Sequence, residues 1–162
     1  MIQRIQSLYL LCAIIFMAIF AFTPYFNIVT DDATYQLTSC GIKAVETAQA
    51  DAATVVSSQN YIVLIISGLI MLLSLIAIFL FKNRVKQILV CKINILFYVT
   101  LYIIMGITAF MNYSALQGTS FTTTTYVVFP ICALITNWLA ISAINKDEQL
   151  VRDSERMWTR NR

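Results

Sequence analysis

Side chains able to do covalent or proton-transfer chemistry are scarce in this chain. It contains no histidine, which removes bis-imidazole haem ligation, histidine metal sites and the usual imidazole base together. The four cysteines, Cys12, Cys40, Cys91 and Cys132, stand far apart with no C-x-x-C pair, so they read as unpaired thiols used as small apolar residues. Thiol exchange of the kind run by disulfide-generating quinone reductases needs paired cysteines on one aqueous face, and Cys40 stands there alone. Every carboxylate lies outside the apolar runs, so no acid is expected at mid-membrane depth to bind or relay an ion. The expectation is a non-enzyme, without catalytic residues, metal or cofactor.

What the apolar runs do hold is hydrogen-bonding capacity. Ser74, Asn94, Tyr98, Tyr102 and Asn137 form a candidate polar layer. At helical spacing Asn94, Tyr98, Tyr102 and Gly106 share one stripe, and Pro130, Ala133, Asn137 and Ala140 make a stripe that lets helices approach closely. Counting residues puts Ser74 and Asn137 each about 11 Å from the inner ends of their runs. Asn137 is therefore expected to hydrogen-bond within this layer. The plain reading is packing glue of about 1 kcal/mol; the sharper one is the polar floor of a ligand pocket.

The elements that must position these groups follow from composition. Of 162 residues, 59% are hydrophobic and only 12% charged, which argues against a soluble domain. Four apolar runs, Leu8 to Phe26, Tyr61 to Phe81, Ile93 to Met111 and Tyr126 to Ile144, each approach the about 20 residues needed to cross a bilayer as a helix. The expected fold is an all-α membrane protein, a four-transmembrane-helix bundle forming one domain over residues 1–162. The first run is read as a retained span, because no A-x-A cleavage pattern follows it. Pro24 can end that span without penalty, whereas Pro130 is expected to kink the fourth.

Charge placement sets the expected orientation. Arg4; Lys82, Arg84, Lys86 and Lys92; and Lys146, Arg152, Arg156, Arg160 and Arg162 fall on one side, against Lys43 on the other. Lys and Arg are retained on the cytoplasmic side, so both termini, the loop 82–92 and the tail 145–162 are expected there. The loops 27–60 and 112–125 are then periplasmic. In the first, "FNIVTDDATYQLT" reads as a short β-hairpin, Gly41 as a break and "AVETAQADAATVV" as a helix. The second, "NYSALQGTSFTTTT", is expected to be extended.

The tail is the least expected feature, since a simple stop signal has no need of acids. If the fourth helix continues, Glu148 and Arg152 pair at four residues and Arg152 and Glu155 at three. Leu150, Val151, Met157 and Trp158 give it an apolar side, expected to cover the inner ends of the spans or to meet a partner. Its acids are expected to face the basic 82–92 loop. Gln3, Arg4 and Gln6 should lie beside it, so these three with Lys146, Asp147, Glu148, Leu150, Val151, Arg152 and Arg156 form a candidate cytoplasmic interaction surface.

The two ends also carry a resemblance. "MIQRIQSLYLL" and "AINKDEQLVRDSER" resemble the signature ends of a family of small four-span inner-membrane proteins of Bacteroidota, classed as a domain of unknown function. The segment "MWTRNR" after Arg156 departs from that pattern. The resemblance implies a lineage and an inner-membrane location, and no activity. Together these readings point to an accessory or scaffolding protein whose partners are the bilayer and another protein or a second copy, with no nucleic acid. The alternative is a carrier of a small molecule or lipid that uses the polar layer.

Overall fold

The computed structural model describes residues 3–30, 33–47, 61–116 and 119–160; the side chains of 3–5, 33, 44–47, 82, 153–155 and 158–160 lie outside that description. Four helices account for most of it. Helix α1 is Gln3–Phe22, α2 Ile62–Phe79, α3 Arg84–Ala115 and α4 Val128–Arg160. Three helical segments, Ile62–Phe79, Arg84–Ala115 and Thr125–Arg152, are long and apolar enough to cross a membrane, as in a membrane protein; the apolar stretch Gln6–Phe22 is shorter. Helix α1 packs on α2 and α4, and α3 packs on the same two, so the four close a ring.

All four helices bury one seam with the alternating three- and four-residue spacing of a left-handed bundle. The seam runs through Gln6, Leu10, Ala13, Met17 and Phe20 on α1, and through Val63, Ser67, Ile70, Ser74 and Ala77 on α2. On α3 it starts Gln87, Cys91, Asn94, Tyr98 and continues to Asn112; on α4 it passes Ala133, Asn137, Ala140, Ile144 and Asp147. Large apolar side chains such as Leu72, Leu96, Ile103, Ile131 and Trp138 point outward instead. Polar residues inside and apolar residues outside suit lipid, where helix association depends on close packing and interhelical hydrogen bonds.

Several boundaries differ from those the sequence suggests. The first helix stops at Phe22, because Pro24 disfavours helix in the residue before it and Thr23 Oγ1 folds back onto the Ile19 carbonyl at 3.0 Å. Tyr25 and Phe26 therefore belong to a strand. Residues 84–92 are the first turns of α3 and not loop, with the connection reduced to the 3₁₀ turn Leu80–Lys82 and Asn83. Lys86 and Lys92 stay exposed there while Gln87 and Cys91 follow the buried seam. Pro130 is the third residue of α4, where a backbone N–H has no intrahelical acceptor to lose, so the position does not demand the expected kink.

At the end away from Gln6 and Asp147 a four-stranded antiparallel sheet covers the ring. Its strands are β1 Pro24–Val29, β2 Ala33–Thr38, β3 Gly41–Thr47 and β4 Ser120–Thr123, in the order β3-β2-β1-β4. The expected hairpin is β1 with β2, in register Asn27 to Gln36 and Ile28 to Tyr35. The segment Ala44–Thr47, expected as helix, continues β3 because pairing with β2 overrides its alanine content; residues 48–56 of that expected helix lie outside the described residues. The second loop does more than extend, since β4 pairs with β1 from Phe26–Thr123 to Val29–Ser120. At the start of β3, Gly41 has φ 137, a conformation that L side chains rarely adopt.

Tyr25, Ile28, Leu37 and Ile42 turn inward from the sheet onto Phe20, Met105 and Ala109. Burial pushes the pKa of the Tyr25 hydroxyl above the ordinary value, an effect that the nearby Thr108 side chain partly offsets.

Candidate functional site

Apart from Ser67, whose Oγ donates to the Leu64 carbonyl at 2.8 Å within α2, the described polar side chains of the seam fall into three groups along the ring. Nearest the sheet, Thr108 Oγ1 donates to the Met105 carbonyl at 3.0 Å and Asn112 Nδ2 to the Thr108 carbonyl at 2.7 Å. These bonds stay within α3 and serve local satisfaction.

The second group is the expected polar layer, with one member displaced. Asn94 Nδ2 donates to Ser74 Oγ at 2.9 Å, and Ser74 Oγ in turn donates to the Ile70 carbonyl at 2.9 Å. Asn137 Nδ2 donates to the Cys91 carbonyl at 3.0 Å, so the expectation that Asn137 bonds within this layer agrees with its geometry. Tyr98 is wholly buried, its hydroxyl approaching Ser74 without a completed hydrogen bond. Tyr102 is elsewhere. A four-residue stripe drifts off a seam that repeats every seven, so Leu101 and Met105 take the buried places and Tyr102 bonds to the Val127 carbonyl at 2.8 Å.

The amide orientation of Asn137 is fixed by its partner. A carbonyl can only accept, so Asn137 must present Nδ2 to Cys91. Asn94 presents Nδ2 to Ser74 Oγ, whose own hydroxyl lies on the Ile70 carbonyl. Both oxygens then face away, and Asn94 Oδ1, Asn137 Oδ1 and Gln87 Oε1 are buried without a protein partner. Three bare groups of this kind would cost about 3–9 kcal/mol in total. That rivals the about 5–15 kcal/mol by which whole domains are stable.

The third group gathers segments remote in sequence. Gln6 Nε2 on α1 donates to Asp147 Oδ2 on α4, both side chains being buried. Arg84 Nη1, at the start of α3, donates to the Asp147 backbone carbonyl at 3.0 Å. The tail's acid thus meets an N-terminal amide, and the basic segment reaches the tail through its backbone. Arg84 belongs to the basic segment expected to face the tail's acids, and it meets the Asp147 carbonyl and not a carboxylate; Gln87 does not stand out in the sequence, although the seven-residue step back from Asn94 finds it.

Beyond Asp147, α4 continues in the expected manner. Glu148 and Arg152 form an ion pair at 2.9 Å, with the Arg152 side chain 67% exposed. Lys146, Gln149 and Arg156 are exposed, as are Leu150, Val151 and Met157. The apolar side therefore does not cover the inner ends of the helices; it faces outward, because the seam positions on α4 are already taken by Ile144 and Asp147. The side chains of Gln3, Arg4, Glu155 and Trp158 lie outside the described residues.

An apolar cleft of about 320 Å³ opens where α3 meets the sheet, lined by Phe26, Gly106, Ala109, Phe110, Tyr113 and Phe121. A Cβ added at Gly106 would meet no atom within 4 Å. Among the described residues no group of three or more His, Cys, Asp or Glu could hold a metal ion, and all four cysteines are free.

The sequence model of one family, described as Domain of unknown function (DUF4293), matches residues 2–157. No curated protein matches the chain.

Proposed function

The chain belongs to the DUF4293 family, a domain of unknown function covering nearly all of it, and on that premise we propose a non-enzymatic accessory or scaffolding protein of the bacterial inner membrane. In this reading all four helices cross the membrane and both termini are cytoplasmic. The single observation that carries it is the outward-facing apolar edge of the α4 extension, Leu150, Val151 and Met157, set among charged residues. Helix α4 has 33 residues, about 50 Å at 1.5 Å per residue, against a hydrocarbon core of about 30 Å. Its last turns thus have length to spare for contact outside the bilayer.

The Gln6–Asp147–Arg84 junction supports the same reading, because it ties α1, α3 and α4 together at the point from which this extension leaves. An exposed apolar edge beside paired charges suits a protein surface better than anionic headgroups, which Glu148 would oppose. Purification of the tagged chain from native membranes in mild detergent tests the proposal. A stoichiometric partner, or a defined homo-oligomer, is the expected result; a monomer without partner counts against it.

A second reading, a carrier of lipid or another apolar molecule, is favoured by the cleft at Gly106 and not by the polar layer, whose amides are engaged with one another's helices. Retention of a specific lipid by the monomer in native mass spectrometry would favour it.

A further inference from the structure

We propose that the free edge of β4 pairs with β4 of a second copy of this chain, joining two sheets across a two-fold axis at Thr122. In the order β3-β2-β1-β4 the strand Ser120–Thr123 closes one side of the sheet, and all four of its residues are exposed. The Thr124 N–H donates to the Tyr25 carbonyl at 3.2 Å, and the register continues through Phe26–Thr123 and Asn27–Thr122. Antiparallel pairs alternate between bonded and non-bonded, so Thr122 and Ser120 turn their backbone groups to β1, while Phe121 and Thr123 turn theirs to the outer edge. Those two residues flank Thr122 evenly. Phe121 of each copy can therefore exchange both backbone bonds with Thr123 of the other, with Thr122 facing its own counterpart.

Three features select a second copy as the occupant. The first is charge: the opposite edge, β3, presents the exposed Lys43 and a register shift at Thr34/Tyr35, devices that discourage strand addition, and β4 has neither. No Asp, Glu, Lys or Arg occurs from Ile93 to Asn145, so two copies meet no like charge across the axis. The second is symmetry. The two-fold of an antiparallel strand pair stands perpendicular to the sheet, and one face of this sheet packs on the helix ends through Tyr25, Ile28, Leu37 and Ile42, so the axis runs along the ring. For helices that cross a membrane this is the membrane normal, the one two-fold direction that leaves both copies inserted in the same sense. The third is the apolar cleft beside the edge, lined by Phe121 together with Gly106, Phe110 and Tyr113 of α3. Phe121 and Phe110 are left exposed in the single chain, and they add apolar contact to a strand too short to hold by its backbone bonds alone. The paired surface is β4 with the last turns of α3, and it does not depend on the partner proposed for the α4 extension.

Phe121 packs on Tyr113, so Thr122 points to the opposite, outer face of the sheet, open to an oxidant. The test places single cysteines in the full chain carrying Cys12→Ser, Cys40→Ser and Cys132→Ser, and oxidises native membranes with copper phenanthroline. Thr122→Cys is predicted to give a disulfide-linked dimer at least tenfold faster than Ser120→Cys, whose counterpart lies about 13 Å away in this register, or Lys43→Cys on the opposite edge. Thr123→Pro removes an outward N–H and spares the β1 ladder, and it is expected to lower the Thr122→Cys rate at least tenfold. Should that variant fail to accumulate, the comparison of the three cysteines decides alone. Equal rates at the three positions, as random collision gives, would overturn the proposal. So would a Thr122→Cys adduct with another protein in place of the dimer, or a rate that Thr123→Pro leaves unchanged.

Discussion

Gln6 and Asp147, 141 residues apart in the chain, are joined by a buried hydrogen bond from the Gln6 amide to the Asp147 carboxylate. Through it the first turns of α1 and the last seam position of α4 hold each other, and Arg84 adds α3 by bonding the Asp147 carbonyl. The exposed edge of α4 begins one turn later.

This junction makes a stability prediction. Gln6→Ala leaves a buried carboxylate without its donor and is expected to cost about 1.5–3 kcal/mol, the range for hydrogen bonds to charged groups. Asp147→Asn keeps an acceptor for Gln6 and should cost less. Lys146→Ala, at an exposed neighbouring position, should stay within about 0.5 kcal/mol. Reversible unfolding in mixed micelles measures all three; equal effects at positions 6 and 146 would contradict the role given to the bond.

The layer at Ser74 makes a second. Asn94 and Ser74 should be coupled by about 0.6 kcal/mol and at most about 1.7 kcal/mol in a double-mutant cycle with Asn94→Ala and Ser74→Ala, as for other interhelical bonds in membranes. Asn94→Ala and Tyr102→Phe should be additive, since Tyr102 bonds to Val127 away from the layer. Coupling of the second pair larger than that of the first would refute this partition.

How far the sequence reveals the fold depends on which forces are local. The apolar runs and the Glu148–Arg152 pair were legible because span length and four-residue spacing are properties of one segment. The sheet was half legible: the β1–β2 hairpin is local, whereas β4 joins β1 across more than ninety residues, and β3 extends into Ala44–Thr47 against local propensity. In the polar layer, Ser74, Asn94 and Asn137 could be picked out as polar residues in apolar runs. Tyr102 was misplaced by counting in fours. Gln87 is hidden inside a segment that resembles a basic loop, where a polar residue attracts no notice until α3 is seen to begin at Arg84.

The exposed ion pair should matter little for folding. Arg152 is mostly solvated, so Glu148→Lys is expected to change stability by under about 1 kcal/mol and to leave the membrane level unchanged. In the proposed function the same change lowers recovery of the partner in a pull-down. Unaltered recovery with both Glu148 and Glu155 reversed would argue against any part for the tail's acids.

The proposed orientation is testable through one native thiol and one introduced. Cys40 is exposed in the turn between β2 and β3, and it is expected to react with a membrane-impermeant maleimide in cells whose outer membrane has been permeabilised. Lys146→Cys, made in a Cys40→Ser background, should react only after the inner membrane is opened. The reverse pattern would invert the topology and place the α4 extension in the periplasm.

The most direct measurement of the central claim is photo-cross-linking in living cells from the exposed edge of α4. A photoreactive residue at Leu150 or Met157 is predicted to give one discrete adduct with a second protein or a second copy of this chain, while the same residue at Ile103, on the outward apolar face of α3, gives none. Adducts with lipid alone from Leu150 and Met157, at a level matching Ile103, would contradict the account.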